Sequence, residues 1–192
     1  MRTTLLLNDL CKVLLGLALS TIACHTAFAG VDQDWGVLVG NHAGIKTDSA
    51  RVKVERPLLL RLRRAEEAAF LPLKMGVGQA DSSRWLLLRE ASRTRGDASF
   101  CGAGHEDHLV LINVKKSVGV VRGDFLVQSC LKSISMDIDR FSELIDAIEV
   151  DEASGQLSFT QSISGDKESF RQEVHLEVTS GRMKASTRKL DD

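Results

Sequence analysis

His108-Leu-Val-Leu-Ile-Asn-Val114 is the stretch that decides the fold class. Its apolar residues are consecutive, so both faces need cover, as in a strand at the centre of a sheet. Two more apolar runs follow at strand length, Ser117-Val-Gly-Val-Val121 and Phe125-Leu-Val-Gln-Ser-Cys-Leu-Lys-Ser-Ile134. Lys115-Lys116 and Arg122-Gly123-Asp124 separate them and are read as turns. The three runs are expected to form a β-meander.

The same signal extends outward from this centre. Upstream, Trp35-Gly-Val-Leu-Val39, Arg51-Val-Lys-Val-Glu55, Leu58-Leu-Leu-Arg-Leu62 and Trp85-Leu-Leu-Leu-Arg89 read as strands, with Pro57 at the start of the third. Ala65 to Phe70 is made of helix formers, and Lys74 to Ser83 reads as loop. Downstream the period changes. Phe141, Leu144, Ile145 and Ile148 fall on one face of a short helix near residues 139–148, with Asp139 as its expected N-cap. Leu157-Ser-Phe-Thr160 and the alternating Val174, Leu176 and Val178 return to strands. Ser180-Gly181 is a two-residue hairpin turn into Met183 and Ala185. The expectation is a mainly β domain, with α+β as the variant: one largely antiparallel sheet of seven to nine strands, sandwiched or curled.

The first 29 residues follow another logic. Arg2 and Lys12 precede the uncharged run Val13–Ala23, and Ala27-Phe28-Ala29 is a small-x-small exit. This order is that of a secretory signal peptide over residues 1–29, cleaved after Ala29. The apolar run is shorter than the roughly 20 residues that cross a bilayer, so an uncleaved anchor is the lesser reading. Thr21-Ile22-Ala23 before Cys24 gives a second alternative, a lipoprotein site. The remainder, residues 30–192, is expected to be one β-rich domain, periplasmic or secreted, without a membrane span.

Without the signal the chain carries 23 basic and 25 acidic residues, which argues neither for nucleic acid nor for a membrane surface. The charge is unevenly spread. Arg51 to Arg95 holds eleven basic and five acidic residues, whereas Asp137 to Glu177 holds eleven acidic and three basic. Asp146, Glu149, Asp151 and Glu152 in the second stretch are candidate contacts for a basic partner, another envelope protein. The competing reading is that such charges are solvated or neutralise one another.

Cys101 and Cys130 remain after signal removal, and an even pair in an exported chain points to a disulfide; free thiols or metal-binding thiolates are the alternatives. The densest group of reactive side chains is His105-Glu106-Asp107-His108, after Gly102-Ala-Gly104. It offers ligand and proton-transfer groups for a metal site or a small hydrolase. The histidines are three apart rather than four, so on an extended strand they point to opposite faces. A tight turn capping a central strand is the plainer reading. There is no G-x-S-x-G elbow, Walker loop or dinucleotide glycine pattern, and no cofactor is expected.

Cys101-Gly-Ala-Gly104, Glu106-Asp107 and the strand ending Gln128-Ser-Cys130 resemble a group of exported proteobacterial proteins with a CGAG-x-ED stretch and a later QSC. The match covers residues 100–134. The resemblance implies bacterial origin and pairing of the two cysteines, and nothing catalytic. Small disulfide-tied lysozyme inhibitors offer a fold-level analogy without shared motifs. The functional expectation is a non-enzymatic protein-binding module, inhibitor or immunity-like. The small hydrolase or metal protein and a structural envelope accessory are the alternatives.

Overall fold

Leu109, Val110, Leu111 and Ile112 are fully buried, two to each face of their strand. That strand, β6 (His105–Lys115), pairs antiparallel with β5 (Ser82–Ala91) on one side and β7 (Val118–Ser129) on the other. Trp85, Leu87, Leu109, Leu111 and Val127 enter one core, while Leu86, Leu88, Val110 and Ile112 enter a second. Continuous apolar runs are what a layer buried on both faces requires. The computed structural model describes residues 35–47, 51–72, 82–92, 104–151, 153–165 and 168–191, and residues Asp34–Asp192 form one compact unit.

The rest of the sheet curls off this central layer in two directions. On one side lie β1 (Gly36–Leu38), β2 (Gly44–Lys46) and β3 (Arg51–Val54), with β3 running parallel to the start of β7. β4 (Ala65–Phe70) borders β5, and Trp35 meets Phe70 edge to face at 5.6 Å. The helix α1 (Arg56–Arg64) fills this curl with Leu58 and Leu62. On the other side, β8 (Ile134–Ser135) leaves the end of β7 and pairs with β10 (Gln156–Ser164). β10 also pairs with β9 (Glu149–Asp151) and β11 (Ser169–Thr179), and β11 pairs with β12 (Arg182–Leu190). A second helix, α2 (Phe141–Asp146), seats Phe141 and Leu144 in the first core. β12 returns so close to β7 that a Cβ on Gly123 would collide with Met183, so only glycine fits there.

The molecule is thus mainly β, one curled and mostly antiparallel sheet with two helices. The hairpin turn at Ser180-Gly181 is present, both residues at positive φ as a type I′ turn requires. Five local expectations are corrected. Leu58–Leu62 is helix, not strand: Pro57 sits in its first turn, where φ near −65° is preset, and Leu58 and Leu62 are buried while Leu60 is 44% exposed. A strand would have turned Leu58, Leu60 and Leu62 to one face. Ala65–Phe70 is strand, not helix, because pairing with Leu86–Glu90 overrides the helix propensity of alanine and glutamate. Arg122-Gly123-Asp124 is no turn; it lies inside β7, at a bulge where Arg122 is the extra residue between Val121 and Gly123. The two later runs of the expected meander are therefore one strand. The β6–β7 turn sits at Lys116-Ser117, both at positive φ, one residue beyond its expected place. Asp139 does not cap α2: Arg140 holds that position without a side-chain bond.

Candidate functional site

Strand alternation divides the His105–His108 group. Asp107 faces the first core beside Arg89, directly opposite on β5. Arg89 donates from Nε to Asp107 Oδ1 at 2.8 Å and from Nη2 to Oδ2 at 2.9 Å, a two-point pairing with both residues buried. Its Nη1 donates to the Asp139 carbonyl at 2.8 Å, and the guanidinium lies over the Phe141 ring. The hydrogen bond to Asp107 raises the Arg89 pKa further, against desolvation, which acts the other way. A second bulge, at Val127, brings Gln128 opposite Asp107. Gln128 Nε2 donates to Asp107 and to the Ile138 carbonyl, while its Oε1 accepts from Met136 N–H at 2.7 Å. This centre therefore ties β5, β6, β7 and the chain entering α2 together. It floors a polar cleft of about 480 Å³, whose walls include His105, Ser133 and Ser164.

Of the other members, His105 lines the same cleft, while Glu106 and His108 lie on the opposite face of β6. His105 Nδ1 lies 2.9 Å from Glu66, and Glu106 accepts from the Ser92 hydroxyl at 2.6 Å and from the Leu131 amide at 3.3 Å. His108 faces the second core's side, where its Nδ1 is 2.8 Å from Asp124 Oδ1. Arg61 of α1 bridges Asp124 at 2.6 Å and Glu90 at 2.8 Å. Partial burial would raise the Asp124 pKa, but the His108 hydrogen bond and the Arg61 charge outweigh it and hold the carboxyl below its ordinary value. Among the described residues no group of three or more His, Cys, Asp or Glu is placed to hold a metal ion.

The acidic stretch divides as well. Asp146 and Glu149 are exposed at the end of α2 and the start of β9. Asp151 closes a turn, accepting from Ala153 N–H at 2.9 Å and the Ser154 hydroxyl at 2.6 Å; those bonds lower its pKa. Glu152 and Cys101 lie outside the described residues, as do residues 1–29. No helix among the described residues is long and apolar enough to cross a membrane.

Arg89, Gln128, Arg61 and Asp124 were not singled out as site residues by sequence. A weak signal exists for two of them. Arg89 ends an apolar run on the same strand parity as Trp85 and Leu87, and Gln128 interrupts a core strand. A polar group at an inward position needs a partner. No family model, curated protein or solved structure matches this chain.

Proposed function

We propose that this protein is an exported, periplasmic protein-binding module, inhibitor or immunity-like, that recognises a basic partner and carries out no catalysis. The observation that carries the reading is the pair of exposed carboxylates, Asp146 and Glu149, presented where α2 meets β9. Asp146 ends the packed helix α2 and Glu149 opens the paired strand β9, so both carboxylates are preorganised to steer a basic surface. Export follows from the charge, apolar run and small-residue exit of residues 1–29. An oxidising compartment suits the second part of the proposal, a bond between Cys101 and Cys130. In support, the Cys130 amide donates to the His105 carbonyl at 3.3 Å. Cys101 is four residues before His105, within a chain reach of about 14 Å.

The test is capture from the host envelope with the exported protein and with a variant carrying Asp146→Lys and Glu149→Lys. The expected result is a stoichiometric partner whose retention falls with salt and is lost on charge reversal. A partner held equally by the variant, or no partner at all, would refute this reading.

A further inference from the structure

One edge of β10 is interrupted. β9 covers Gln156–Ser158 on that edge and β8 covers Ser162 and Ile163, so Thr160 lies between them with no strand residue opposite. The chain leaves the sheet there as residues 136–148, which carry α2. Further along the same edge, Ser164 N–H donates to the Ser133 carbonyl at 2.9 Å. In a strand without a bulge, every second residue directs its N–H and C=O to the same side. The register of β10 is unbroken, so Thr160 turns its backbone groups into the gap. A cavity of about 260 Å³ occupies the gap, walled by Met136, Ile138 and Ala147 and edged by Glu149, Ser158 and Glu173. Among the described residues no basic side chain lines it. The two carboxylates differ in company. Glu173 is taken, with Arg188 Nη2 at 2.6 Å and His175 Nε2 at 3.3 Å. Glu149 has no ion pair among the described residues, and its carboxylate meets only the Ser158 hydroxyl, at 3.5 Å.

Resting on the protein-binding reading above, we infer that this cavity admits one arginine side chain of the basic partner. The methylene stem lies against Met136, Ile138 and Ala147, as the stems of long cationic side chains do on apolar surface. The guanidinium donates to the Glu149 carboxylate and to the Thr160 carbonyl. A planar fork of donors can serve a carboxylate and a backbone carbonyl together, whereas an ammonium is a single point charge. The cavity has room for one side chain and not for a chain segment. Glu149 is thereby an anchor as well as a steering charge, while Asp146, which does not line the cavity, only steers.

The probe is a blocked Gly-Arg-Gly tripeptide, titrated into the exported protein beside its citrulline counterpart, which keeps the shape of arginine and lacks the charge. Binding of the arginine peptide alone is expected, with the backbone amide signals of Ala147–Glu149 and Ser158–Thr160 shifting. Glu149→Gln should weaken it several-fold, Asp146→Asn should leave it within about twofold, and Ala147→Leu should fill the cavity and abolish it. The comparison of arginine with citrulline needs no variant, so it decides the matter even if Ala147→Leu folds poorly. Equal binding of the citrulline peptide, shifts confined to other strands, or equal losses from Asp146→Asn and Glu149→Gln would overturn the proposal. So would broadening of the same amides with protein concentration and no peptide present, which would make a second copy the occupant. Ala147→Leu keeps both exposed carboxylates, so a captured partner that this variant still retains would remove the cavity while leaving the protein-binding reading intact. Absence of any partner would remove that reading itself, and with it the partner's arginine.

Discussion

The two faces of the central layer carry ionic groups of similar composition and very different burial. On the first-core face, Arg89 and Asp107 have side chains 4% and 1% exposed, on directly paired strand positions. On the opposite face, Arg61 spans Glu90 and Asp124, with exposures of 18%, 18% and 41%, and it joins a helix to the sheet. Water competes for the second group and hardly at all for the first. The same chemistry therefore does different work. The buried pair is a condition for closing the polar centre, because either charge alone in that place is costly. The outer group is a clasp that holds α1 against β5 and β7, with a contribution diluted by solvent.

The sharpest way to break this comparison is to remove one buried partner. Asp107→Ala leaves the Arg89 guanidinium with the Asp139 carbonyl and the half-exposed Glu67 carboxylate at 3.6 Å, and strands Gln128 Nε2 of one acceptor. The expected loss is about 3–5 kcal/mol in urea unfolding. The paired replacement Arg89→Met with Asp107→Leu removes both charges and should recover most of that loss, since a buried ion pair and a packed apolar pair of similar volume differ little. A single-variant loss below about 1 kcal/mol would place Arg89 and Asp107 in the same class as the outer group.

The outer clasp gives a smaller effect. Arg61→Met keeps the stem over the sheet and removes the charge between Glu90 and Asp124. About 1 kcal/mol should be lost, the scale of a partly exposed pair. Amide exchange in α1 should rise more than in β6, because the clasp acts on the helix. A loss equal to that of Asp107→Ala would erase the distinction between the faces.

The contrast also explains what could be read from sequence. β6 was legible because both faces of one strand are apolar in one continuous run. α2 was legible through Phe141, Leu144 and Ile148, and the Ser180-Gly181 turn through its residue types. Leu58–Leu62 and Ala65–Phe70 exchanged roles because the deciding contacts are not local: Pro57 starts a helix, and β5 recruits the residues after it as a strand. Arg122-Gly123-Asp124 has turn composition, yet its glycine answers to Met183 on β12, sixty residues later. The site follows the same pattern. Asp107 and His108 were visible as reactive types, but their partners come from register and bulges. Arg89 is 18 residues from Asp107, Gln128 is 21, and Asp124 is 16 from His108. Residue spacing did show that His105 and His108 point apart, since strand alternation alone decides it.

Acid sharpens the comparison at its smallest scale. The Asp124 carboxyl titrates below its ordinary value, so its interactions stabilise the fold above about pH 4, the unfolded value. That contribution must fade as the pH falls through the lower folded value. Asp124→Asn loses it at every pH, so the variant should be less stable than the parent at pH 5, and the gap should narrow steadily toward pH 3. Urea unfolding of both proteins across that range measures it directly. A gap at pH 3 as wide as at pH 5 would mean that the Asp124 side chain acts by packing rather than by charge, and that the outer group is not an electrostatic clasp.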